Sequence, residues 1–99
     1  GRTAAVVGEK MLKIATKHQV ICVTHLAQIA ALADTHILVQ KHDDGVSTYV
    51  ETHLLNEDEK TMRIARMMDG ESDSPSAIKH ARELIARAEK IKAKTSNCF

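Results

Sequence analysis

The sequence predicts an α/β fold in the order helix, strand, helix, β hairpin, helix, helix, with a sheet that the chain itself leaves incomplete. Three observations carry this. Val20-Ile21-Cys22-Val23 is an unbroken apolar run without polar alternation, the pattern of a strand covered on both faces in a parallel sheet. Asp44-Gly45 divides two alternating segments, as a hairpin turn would. On either side of this β region, apolar residues recur at helical spacing.

Thr3 to His18 reads as a helix with Ala4, Val7, Met11, Ile14 and Ala15 on one stripe. Gln19 to Thr24 is the buried strand, and Leu26 to Ala33 a short helix behind it. The hairpin takes Thr35 to His42 and Val46 to Leu55. Period-two alternation puts Ile37 and Val39 on one face with Thr48, Val50 and Thr52, and Leu38, Gln40 and His42 on the other with Tyr49, Glu51 and His53. Asn56 to Asp69 carries a strong helix start, with Asn56 as cap and Glu59 three residues on to close a capping box. Its acids suit the positive helix end, and Gly70 is a natural stop. Met62, Ala65 and Met68 form its apolar side, with Ile64 beside them. Ser74-Pro75 opens the last helix as cap and first-turn proline, and Ile78, Ala81, Leu84 or Ile85, Ala88 and Ile91 run along it. Residues 1–94 read as one folded portion and 95–99 as a flexible tail.

The 99 residues allow one domain at most. Aromatic content is 2%, so the core must be built from small aliphatic side chains and methionine. Net charge is +1, from 14 basic and 13 acidic residues, which gives no overall pull toward nucleic acid or membrane. The stretch Lys79 to Lys94 is locally basic. Cys22 and Cys98 are far apart, so no disulfide framework is expected and a reducing cytoplasm fits. Cys22, in the apolar run, is expected to be buried. No stretch approaches the ~20 apolar residues of a membrane span.

His25 stands one residue past Thr24, where the predicted strand ends and a helix begins. In open α/β sheets, ligands bind beyond the carboxyl ends of the strands. An imidazole at that address can donate to a phosphate oxygen, and the Thr24 hydroxyl can assist. From spacing alone a histidine there is equally a packing or capping residue.

The stretch VTHLAQIAALADTHILVQK, Val23 to Lys41, resembles the segment around the switch histidine of the ABC/SMC-type ATPases of the RecN family, which act in DNA double-strand break repair. Ala27 replaces the family's usual proline. GRTAAVVGEKM, Gly1 to Met11, is similar to the helix after the family's D-loop, IARMMDG, Ile64 to Gly70, to a segment that ends Met-Leu-Gly-Gly there, and AIKHARELI, Ala77 to Ile85, to its final helix. The likeness runs to about residue 86; the Lys-rich extension beyond has no evident counterpart. The resemblance implies a fragment of a P-loop-type ABC ATPase head, its C-terminal portion. His25 would then be the switch histidine at the γ-phosphate, with Thr24 beside it, and Gly1 and Arg2 the remnant of the D-loop. It implies ATP and Mg2+ in the intact protein, the remainder of the head and a head–head homodimer as partners, DNA contacted by the intact protein, and a bacterial cytoplasmic, nucleoid-associated location.

The sequence has no G-x-x-x-x-G-K-[ST], no apolar strand ending in Asp-Glu and no Leu-Ser-Gly-Gly. This stretch alone is therefore expected neither to bind ATP tightly nor to hydrolyse it. Six histidines raise the question of zinc. His36 is expected opposite His53 with His42 on the same face, but His36 and His42 lie ~20 Å apart along a strand, too far to converge on one ion, and no metal site is expected. A second reading of the whole is a non-catalytic α/β interaction domain that binds nucleic acid or a protein through the basic last helix.

Overall fold

The computed structural model describes residues 2–70 and 74–97, the side chains only as far as Thr95. The elements follow as α1 (Arg2–Ala15), α2 (Ala27–Ala30), β1 (Ile37–Asp43), β2 (Thr48–Leu54), α3 (Glu57–Asp69) and α4 (Pro75–Asn97). The class is mixed α/β, with helices and a two-stranded antiparallel sheet.

α3 begins and ends where its local chemistry dictates. The Asn56 side chain accepts from Glu59 N at 2.8 Å, and Glu59 Oε1 accepts from Asn56 N at 3.0 Å, so both halves of the capping box are made. Gly70 closes the helix in the left-handed region at φ 60°, which an L side chain rarely adopts. α4 is capped by Ser74, whose hydroxyl accepts from Ala77 N at 3.2 Å ahead of Pro75. It runs on through Thr95 to Asn97, where a flexible tail was expected from residue 95; Cys98 and Phe99, like Gly1, lie outside the described residues.

The core sits where α3 and α4 cross. Ile64 and Ala65 from α3 meet Ala77, Ala81 and Ala88 from α4, with Ala31 and Leu32 arriving from the end of α2. Alanines let the helix backbones approach closely, and Ile64 is the one large side chain fully buried among the described residues. The apolar side of α3 is thus centred on Ile64 and Ala65; Met68, expected within it, is half-exposed. α1 turns Gly8 and Leu12 inward; of the expected stripe, Ala4 and Met11 are half-buried with them, while Val7, Ile14 and Ala15 are exposed. Gly8 lets Leu32, just past α2, pack directly on the α1 backbone: a Cβ there would stand 2.5 Å from Leu32 Cδ1, so the leucine side chain would have to shift for any larger residue.

The hairpin faces agree with the alternation, because β1 and β2 pair Leu38 with His53, Gln40 with Glu51 and His42 with Tyr49. The register differs in one respect. His53 faces Leu38, not His36, which lies before the strand and accepts from Leu55 N through its carbonyl. The turn is longer than two residues because two aspartates organise it: Asp43 accepts from Gly45 N, and Asp44 from Val46 N and Ser47 N. Gly45 takes φ 85°. β2 is exposed along its whole length, and the hairpin packs chiefly on itself.

The strand expected over Gln19 to Thr24 does not form. Residues 19–26 are irregular, Val23 is fully exposed and Ile21 86% exposed, and Cys22, expected to be buried, is exposed. The reason is hydrogen bonding. A strand exists only against a neighbour, and β1 and β2 pair with each other. The apolar run asks for layers and edges that the described residues do not supply. The radius of gyration, 14.9 Å, exceeds the ~13 Å usual for 100 residues, as an off-standing hairpin and an unpaired segment require.

Candidate functional site

The site is a corner built around α2. Thr24 turns the chain into it: its hydroxyl accepts from Leu26 N at 3.0 Å, a local bond that fixes the helix entry. The Leu26 carbonyl then accepts from Ile29 N and Ala30 N, starting α2. Helical turns continue past Ala30, because Ala31 N, Leu32 N and Ala33 N donate to Ala27, Ile29 and Ala30. The expected helix from Leu26 to Ala33 is therefore one α-helical turn followed by tighter turns. His25 lies immediately before this element. Its ring is exposed, and no hydrogen bond or ion pair engages it among the described residues. Thr24 is half-buried, its hydroxyl engaged by the helix entry. His25 and Thr24 are thus adjacent at the head of α2, as the sequence places them, but at the end of an unpaired extended segment rather than of a strand.

The far end of α2 is held by cations. Lys60, on the first turn of α3, is 5% exposed, and its ammonium donates to the Ala33 carbonyl at 3.3 Å. Lys92 of α4 reaches Asp34 at 3.1 Å and Glu89 at 3.0 Å. Burial pushes the Lys92 ammonium down, but its bonds to Glu89 and Asp34 outweigh that and hold it above the usual lysine range. His36 is the third basic group. Its Nε2 is buried without a hydrogen-bond partner. Burial first, then the Lys60 charge and more weakly Lys92, keep its imidazole below the usual histidine range, against the opposing pull of the Ala30 carbonyl and Glu57.

The sequence proposes His25 and Thr24 and gives no indication of these cations around Ala33 and Asp34, beyond the place of Lys60 four residues before Ile64, on the helix face that goes inward. His42 and His53 do meet, but around a carboxylate, with their Nε2 atoms 3.0 Å and 3.4 Å from Glu51 Oε2, and His42 stacks on Tyr49. Among the described residues no group of three His, Cys, Asp or Glu side chains is arranged to hold a metal ion. Also among them, no helix is long and apolar enough to cross a membrane.

No protein-family profile matches the chain. Individual proteins do. DNA repair protein RecN of Halalkalibacterium halodurans is 39% identical over 92 residues, 93% of this chain and 16% of the relative. RecN of Mycobacterium leprae is 41% identical over 93 residues, 94% of this chain and 16% of the relative. RecN of Deinococcus radiodurans is 44% identical over 86 residues, 87% of this chain and 15% of the relative. The matched stretch belongs to the RecN family. It spans about 16% of the length of the relatives it matches. A RecN match of 93 residues within a 99-residue chain necessarily runs past residue 86, so part of the Lys-rich end of α4 lies inside the shared stretch.

Proposed function

We propose that this chain is the C-terminal portion of the ATPase head of a RecN-type DNA repair protein, and that His25 is its switch histidine. In this reading the His25 imidazole donates to the γ-phosphate of ATP and helps to orient the attacking water. Phosphoryl transfer depends mainly on positioning and on stabilising developing charge, and an imidazole donor held at the γ-phosphate supplies both. Thr24 shapes the turn that presents the ring. The observation that carries the reading is the RecN likeness over nine-tenths of the chain, joined to an exposed, unengaged ring at the head of α2.

The described residues fit only this part of the task. Glycine-rich phosphate cradle and magnesium-binding carboxylates are absent from the sequence, and no three-ligand cluster stands ready for a cation among the described residues. Nucleotide and Mg2+ are assigned to the remainder of the head, and the chain by itself is inactive. The unpaired run Val20 to Val23 becomes a central strand once that remainder lies alongside it. The intact protein works as a head–head homodimer on DNA in the bacterial cytoplasm. A second reading, a nucleic-acid or protein contact, is favoured by the outward stripe of α4, where Lys79, Arg82, Arg87, Lys90 and Lys94 are all exposed. It predicts binding that weakens steeply with salt.

The test is His25→Ala in the intact protein. Turnover of ATP falls by about 100-fold or more, the scale of losing one donor to a transition state, while nucleotide affinity stays nearly unchanged. A variant that hydrolyses ATP at the parent rate defeats the assignment.

A further inference from the structure

Lys60 presents a puzzle that packing does not solve. Taking an ammonium out of water is unfavourable unless it gains a partner, and lysine is rarely so fully enclosed. A methionine would fill the same space without that penalty. What lysine adds is a donor, and the donor meets the Ala33 carbonyl at 3.3 Å. α2 has four residues, too short to persist on its own. The carbonyls of Ala27, Ile29 and Ala30 are met by the tighter turns that follow it, which end at Ala33. There α3 supplies the Lys60 donor to the Ala33 carbonyl, and α4 adds Lys92 on the next residue, Asp34. At the opposite end of the same short element stands His25, two residues before Ala27.

We propose that Lys60 is a positioning residue for His25: by holding the Ala33 carbonyl from α3, its ammonium fixes α2 and so sets the direction in which the His25 ring points. This rests on the reading of His25 given above. The clamp acts through backbone, so Lys60 itself touches no substrate.

A double-mutant cycle in the intact protein tests it. Lys60→Met lowers kcat by about tenfold or more, the effect expected of a misplacement of about 1 Å at a reacting group, and leaves KM for ATP nearly unchanged. Lys60→Arg keeps a donor within reach of the carbonyl and recovers part of the loss. On a His25→Ala background, Lys60→Met produces no further fall beyond about twofold, because residues that act through one another are not additive. If Lys60→Met does not fold, Lys60→Gln, polar but too short to reach the Ala33 carbonyl as the ammonium does, carries the same comparison in the two backgrounds. The proposal is overturned if a folded Lys60→Met variant keeps the parent kcat, if kcat and KM change together, or if its effect multiplies with that of His25→Ala. A His25→Ala protein that retains the parent rate is a different result. It removes the His25 assignment, and this inference goes with it.

Discussion

Gly8→Ala separates local helix propensity from tertiary packing, because the two pull in opposite directions. On an exposed helix surface the change stabilises by about 1 kcal/mol, since alanine loses less backbone freedom. Here the new methyl would stand 2.5 Å from Leu32 Cδ1, whereas carbon atoms in good contact lie ~3.5–4.0 Å apart. One of the two must withdraw by about 1–1.5 Å. Leu32 is itself buried beside Ala31, Ile64 and Ala65 in the core, so its methyl has little room. Overpacking of this kind costs about 1–3 kcal/mol, and the net effect is a loss of about 0–2 kcal/mol. Urea unfolding of the chain, followed by far-UV circular dichroism, reads it directly. Leu32→Ala provides the control: it destabilises on its own, but removes the obstructing methyl, and on that background Gly8→Ala turns stabilising by about 1 kcal/mol. Stabilisation by Gly8→Ala in the parent background would refute the close approach of α1 to Leu32.

Two further expectations concern the other joints. Asn56→Ala removes the side-chain half of the α3 cap, the bond from Glu59 N, while the backbone N–H of residue 56 can still donate to Glu59 Oε1, and lowers unfolding free energy by about 1 kcal/mol; an unchanged urea midpoint would contradict the capping box. The His36 imidazole is held below its unfolded value of 6.5, so the unfolded chain binds more protons than the folded one as pH falls through that region. Its contribution is fully present above about pH 6.5 and declines as pH drops below it toward the lower folded value. Protonation would set a third cation near Lys60 and Lys92, with Glu57 the one acid acting on the ring from α3. His36→Gln flattens this part of the stability–pH curve, and parallel curves for parent and variant would show that His36 is not its source.

The elements that sequence made legible are those specified within a few residues. α3 and α4 follow from Asn56, Glu59, Gly70, Ser74 and Pro75, each acting on its own helix end, and the hairpin faces follow from alternation alone. The elements that were misread depend on distant partners. Val20 to Val23 reads as a buried strand because its composition reports an environment, and that environment is not among the described residues. The inward face of α1 includes Ala4 and Met11 of the expected stripe but centres on Gly8, which apolar periodicity does not register although its lack of a side chain is what permits the contact. At the candidate site, His25 stands out in the sequence through the resemblance of Val23 to Lys41. The lysine behind it does not, because a lysine on an amphipathic helix is ordinarily counted with the solvent-facing side.

The crossing of α3 and α4 has a kinetic consequence. These helices are neighbours in the chain, as are β1 and β2, so the two largest contact surfaces form with little loop to close. α1 must instead find α4 across most of the sequence. The helical pair is therefore an early-forming unit that already carries Lys60 and Lys92, and the corner that presents His25 is assembled onto a clamp folded before it.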